Sequence, residues 1–139
     1  MCMILGVGID IVKISRIERI LARGRKRFFE RVYTQRELEA AKSRGAAHLE
    51  YLAMLFAAKE AVFKSLGITW EGIEMRDIEV IRGNAGRPIV EFRGELREIA
   101  RKLGVKRVIL TLSSDKEHAV ACAVALGKYG SESRERKES

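Results

Sequence analysis

The chain has 139 residues, 47% of them apolar and 33% charged, with a single proline. That length holds one domain with a real core and is too short for two ordinary ones. Its formal charge of +8 turns attention to anionic partners. No apolar run is long enough to span a bilayer, and "MCMILGVGID" has neither a basic leader nor a cleavage site, which sets the expectation of a cytoplasmic protein with no membrane segment.

The first strand is expected over residues 3–11. Met3, Leu5, Val7, Ile9 and Ile11 form one apolar face, and Gly6, Gly8 and Asp10 share the other, so the carboxylate has side-chain-free neighbours. Ser15 with Glu18 reads as a capping box opening a short helix that Gly24 ends, with Ile17, Ile20 and Leu21 inward and Arg16, Arg19 and Arg23 outward. Thr34 with Glu37 opens another helix through about Lys42, and a long helix follows over residues 47–66, stopped by Gly67. The period then changes to two. Residues 77–82 and 88–92 read as a hairpin across "GNAG", with Pro88 at a strand start. A short amphipathic helix over 95–103 ends at Gly104. Residues 106–113 and 118–126 form a second hairpin across "SDKE", its last strand apolar on both faces as a central strand should be. The expected architecture is α+β, an antiparallel sheet packed against one long helix plus short helices. One domain spans residues 1–126, and residues 127–139 read as a polar, disordered tail. Cys2 and Cys122 lie far apart without a CxxC spacing and are expected to be reduced core residues.

The charge is local. Residues 13–31 hold eight basic side chains against Glu18 and Glu30, a surplus of +6. Such a patch suits a polyanion or an acidic protein, or it is a solvated helix face. In the long helix, "FAAKEAVFKSLG" places charges beside an apolar stripe of Leu52, Leu55, Phe56, Val62, Phe63 and Leu66. Lys59 and Glu60 fall in a gap of that stripe, and Lys64 lies one turn beyond Glu60. Glu60 and Lys64 at i,i+4 are compatible with an ordinary helix pair. The functional alternative is a divalent metal held by Asp10 and Glu60, with Lys59 and Lys64 beside it on phosphate. Hard carboxylate oxygens suit magnesium, which fills its remaining positions with water and substrate phosphates. No Walker-type glycine loop occurs.

"GVGIDIVKISRI" and "FAAKEAVFKSLG" resemble the two signature motifs of the holo-acyl-carrier-protein synthases, the small 4′-phosphopantetheinyl transferases. The resemblance continues through "RFFERVYTQRELEA", "DIEV", "GRP" and "LTLSSDKEHAVACAVAL", covering residues 3–126. It implies the fold of that family and transfer of phosphopantetheine from coenzyme A to a serine of an apo carrier protein, releasing adenosine 3′,5′-bisphosphate. By position, it makes Asp10 and Glu60 the magnesium ligands and puts Lys59 and Lys64 near the coenzyme A phosphates. Gly86, Arg87 and Pro88 match the turn that borders the nucleotide from a neighbouring subunit of a homotrimer. Arg16, Arg19 and Arg23 become the docking face for an acidic acyl-carrier protein, one of fatty-acid synthesis. The serine proton would go to Glu60 or to a metal-bound water. Ser114 stands where many family members have histidine, and Leu55 where arginine is usual; Asp115 reads as a turn residue or an aid to the metal. Two rivals remain open at this point, a basic nucleic-acid-binding domain resting on residues 13–31 and a degenerate homologue that binds coenzyme A without transfer. The scarcity of aromatics interleaved with the basic residues weighs against the first.

Overall fold

The computed structural model describes residues 2–128 apart from Arg25 and residues 69–71; the expected tail from residue 129 onward lies outside the described residues. Strand β1 (Met3–Lys13) runs straight into helix α1 (Ile14–Ala22), and α2 (Lys26–Val32), α3 (Gln35–Lys42) and the long α4 (His48–Leu66) follow. A hairpin of β2 (Ile78–Arg82) and β3 (Pro88–Phe92), helix α5 (Gly94–Leu103), and a second hairpin of β4 (Val105–Ser114) and β5 (His118–Gly127) complete the chain. β1, β5 and β4 form an antiparallel sheet in that order, with β5 central as its two apolar faces demand, and β2–β3 form a separate pair.

α4 is the structural axis of the molecule. Its apolar stripe is buried as expected, and so are Ala53, Ala57, Ala58, Ala61 and Ser65, so the helix is enclosed on nearly every side. The sheet beneath it is floored with small residues. Ala119, Ala121, Ala123 and Ala125 of β5 point inward and are essentially inaccessible, and β1 contributes its glycine face. A Cβ at Gly8 would lie 2.0 Å from the Ala61 carbonyl oxygen, and one at Gly6 would lie 2.0 Å from that of Ser65. Only glycine permits this approach, which lays β1 flush against the second half of α4. Gly67, at φ 67°, then ends the helix in the left-handed region.

The apolar row of β1 therefore faces away from the helix. Val7, Ile9 and Ile11 are 59%, 62% and 63% exposed. In register, Val7 pairs with Val124 and Val124 with Ile109, a line of branched apolar side chains across all three strands. The open face is thus apolar over β1 and the centre of the sheet, with Thr111 and Ser113 bordering it on β4.

Three local expectations change. α1 has no capping box: its N-cap is Lys13, without a side-chain bond, because β1 continues through residue 13 and the Ile14 amide donates to the Glu117 carbonyl at 2.9 Å. Leu21 is exposed, leaving Ile17 as the fully buried anchor of that helix. Cys2 is exposed rather than in the core and Cys122 is half-buried on the open face; both are free thiols. The Thr34–Glu37 capping box is present.

Candidate active site

The contact between β1 and α4 builds the site. Asp10 follows the two glycines on the face turned toward the helix. From α4, Lys64 reaches across and donates to the Ile9 carbonyl oxygen at 3.0 Å and to the Asp10 carboxylate at 3.2 Å. Glu60 stands one turn earlier on the same helix face, about 6 Å along the axis. Lys64 thereby joins Asp10, 54 residues earlier in the chain, at one edge of the helix–sheet contact, with Glu60 on the neighbouring turn of α4. Among the described residues no group of three or more metal-ligating side chains occurs. Two carboxylates suit magnesium, whose other positions go to water and phosphate, better than a fully protein-built cage.

Glu60 opens onto a pocket of about 600 Å³ walled by Phe28, Val32, Ile73 and Met75, with Arg31 and Glu74 at its edge. Phe28 stacks on Phe56 at 5.9 Å between ring centroids, which fixes α2 against α4. Nothing local distinguishes Arg31 from the other basic residues of 13–31; its place depends on α2, a helix that lacks a start signal of its own.

Lys59 is not in this site, and its assignment to phosphate is corrected. It has no exposed surface. Its ammonium bonds the Glu37 carboxylate at 2.8 Å, the Met75 carbonyl oxygen at 3.2 Å and the Ile78 carbonyl oxygen. Burial pushes the ammonium below the usual lysine range, and the adjacent Glu37 opposes that shift. Glu37 in turn accepts the amides of Thr34 at 2.8 Å and Val80 at 2.9 Å. Lys59 leaves α4 through the gap in its apolar stripe, and α3 and the start of β2 fill that gap.

Gly86, Arg87 and Pro88 end the β2–β3 turn, where Ala85 takes φ 63° and Arg82 donates to the Gly86 carbonyl oxygen at 2.7 Å. Arg87 and Pro88 line a separate cleft of about 880 Å³ between β3 and β4, with Arg82, Lys106 and Arg107 adding positive charge. Neither Asp10 nor Glu60 borders this cleft. Arg16 and Arg19 on α1 and Arg23 at its C-cap are exposed, the Arg16 guanidinium lying 5.6 Å from the Phe56 ring centre. Ser114 donates to the Glu50 carboxylate. Asp115 accepts the amides of Glu117 at 2.8 Å and His118 at 2.6 Å, bonds that hold its carboxyl below the usual range and make it a turn residue.

A lysine held against a carboxylate, with a second carboxylate one turn away on an adjoining pocket, offers both charge and space to a phosphate-bearing substrate. The chain belongs to the 4′-phosphopantetheinyl transferase superfamily, whose family profile matches residues 6–123. A holo-[acyl-carrier-protein] synthase of Desulforudis audaxviator is 40% identical over 125 residues, covering 90% of this chain and 95% of that one. The crystal structure of the Neisseria meningitidis synthase superposes with a TM-score of 0.81 at 33% identity, over 88% of this chain and 98% of that one. A Bacillus anthracis synthase in complex with coenzyme A (3′,5′-ADP) superposes with a TM-score of 0.71 at 36% identity, covering 91% and 99% of the two chains.

Proposed function

We propose that this chain transfers 4′-phosphopantetheine from coenzyme A to a serine hydroxyl of an apo acyl-carrier protein, in the cytoplasm and in the service of fatty-acid synthesis. The observation that carries the reading is the contact of Lys64 with Asp10 where β1 meets α4, one helical turn from Glu60, in a chain whose relatives are holo-acyl-carrier-protein synthases.

Asp10 and Glu60 would hold magnesium, which when bound neutralises the pyrophosphate of coenzyme A and makes its phosphorus more electrophilic. The ammonium of Lys64 adds a fixed positive charge for a phosphate oxygen. The serine oxygen forms the new phosphoester bond as the bond to the departing adenosine 3′,5′-bisphosphate breaks, and Glu60, at the pocket, is the chain's own acceptor for the serine proton. Positioning and charge account for most of such a reaction. Arg16, Arg19 and Arg23 offer an exposed cationic face to an acidic carrier. The nucleotide is bordered by Gly86, Arg87 and Pro88 of a neighbouring copy in a homotrimer. Two features support that arrangement, the apolar open face of the sheet and the separation of the Arg87 cleft from Glu60 within one chain.

Incubation with coenzyme A, magnesium and an apo carrier, read by the mass of the carrier, tests the reading. A phosphopantetheine adduct is expected. Its absence across several carriers overturns the proposal; coenzyme A binding alone then points to a degenerate homologue, and retention of random DNA at physiological salt to the nucleic-acid reading. Asp10→Ala and Glu60→Ala should each abolish transfer with the circular dichroism spectrum unchanged; near-full activity in either refutes the ligand assignment.

A further inference from the structure

The family signature places Lys59 next to Glu60 in sequence, yet the two side chains leave the helix about 100° apart and enter different surroundings. Lys59 is wholly enclosed, and all of its bonding partners belong to other elements: the Glu37 carboxylate on α3 and the carbonyl oxygens of Met75 and Ile78 on the approach to β2. Glu37 answers on the same segment by accepting the Val80 amide. Glu37 and Lys59 thus hold residues 75–80 from both sides, one by its carbonyls and the other by an amide. Met75 is also a wall of the pocket onto which Glu60 opens, together with Ile73 and Glu74 just before it. No buried side-chain nitrogen or oxygen among the described residues is left without a partner, so this ion pair is fully satisfied and holds one fixed geometry.

We propose that Glu37 and Lys59 are positioning residues for the transfer reaction: the buried pair fixes the 72–75 wall of the pocket relative to Glu60. The inference rests on the function proposed above. It differs from a contribution to stability alone, because apolar replacement of a buried ion pair can leave the fold standing, here without the bonds to the Met75 and Ile78 carbonyls and the Val80 amide that hold the wall. A purely structural pair could therefore be exchanged without loss of activity.

The test compares wild type with Lys59→Met, Glu37→Leu and the double variant, measuring thermal midpoint, kcat, and KM for coenzyme A. Each single change leaves one charge buried without its partner and should lower the thermal midpoint markedly. The double variant removes the unpaired charge but leaves the Val80 amide and the Met75 and Ile78 carbonyls without these partners, so it should regain only part of that loss, while its kcat stays at least tenfold below wild type and its KM for coenzyme A moves less than threefold. A double variant with kcat within twofold of wild type overturns the proposal and leaves the pair a structural one. If the double variant does not fold, Glu37→Gln decides. It keeps the size of the side chain but faces donors on both oxygens with only one acceptor, so kcat should fall at least fivefold in a folded protein; kcat within twofold of wild type again overturns the proposal. Wild-type transfer is the control: a wild-type chain that transfers nothing sinks the functional reading and this inference with it, whereas an active wild type beside a fully active variant sinks this inference alone.

Discussion

A methyl group at position 8 would meet the Ala61 carbonyl oxygen at 2.0 Å and the Lys64 Cβ at 2.8 Å, so Gly8→Ala must lift β1 from α4. Overpacking of this kind costs about 1–3 kcal/mol, and a lower urea midpoint at unchanged m-value is expected. The same displacement moves Asp10 from Lys64, so transfer should fall by more than the loss of folded protein explains. A midpoint within error of wild type would show that the strand gives way freely. The spacing GxGxD marked a carboxylate with side-chain-free neighbours, space that the backbone of α4 in fact fills, and Glu60 and Lys64 stood out as charges in apolar surroundings. Lys59 stands out by the same pattern, yet its ammonium is spent inside the fold. Helical spacing gives the angle at which a side chain leaves its own helix, and its partner Glu37 was already accounted for by the capping box with Thr34. One carboxylate serves both Thr34 and Lys59, and no local pattern displays the second role.

Among the elements, α3 and the turn before it join the periphery to the core through Tyr33, whose hydroxyl donates to the Leu52 carbonyl oxygen at 2.8 Å. Burial, reinforced by Glu37, pushes the phenol well above its usual range. The folded state therefore keeps this proton where the unfolded chain loses it, near pH 10. The resulting contribution is complete below about pH 10 and is lost as pH rises further. Tyr33→Phe should flatten the alkaline limb of a stability–pH profile and cost about 1 kcal/mol at neutral pH; an unchanged alkaline limb would remove Tyr33 from that transition. On α1, reversing charge with Arg16→Glu and Arg19→Glu should raise KM for an acidic carrier about tenfold and weaken its salt dependence, with KM for coenzyme A unchanged. An unaltered carrier KM would place docking elsewhere. Most element boundaries were legible because caps, glycines and the change of period from 3.6 to 2 all agreed. α2 and the start of α1 were not, because both are set by neighbours: the carbonyl of Glu117 receives the first amide of α1, and the aromatic contacts of Phe28 seat α2.

At the scale of the whole molecule, the alternation along β1 showed which residues share a face and was silent on which face meets the helix, since a row of branched side chains reads as interior by any hydropathy argument. Close approach decided it, because only the glycine face fits against α4. The row left outside, Val7, Ile9 and Ile11, makes the open sheet face the expected contact between copies. Sedimentation should give about three times the 15.7 kDa chain mass, falling to that of the single chain in Ile9→Lys, with transfer lost in parallel. A single-chain mass for wild type would refute the assembly. The distance between the Arg87 cleft and the Glu60 pocket has a consequence for inheritance of damage. If one copy supplies Arg87 and its neighbour Glu60, then Glu60→Ala and Arg87→Ala proteins, each inactive alone, should rescue one another when unfolded and refolded together. With random mixing of equal amounts, about a quarter of the sites would pair an intact Glu60 with an intact Arg87. A single lesion in a mixed population would then silence neighbours it never altered, and two different lesions would partly forgive each other.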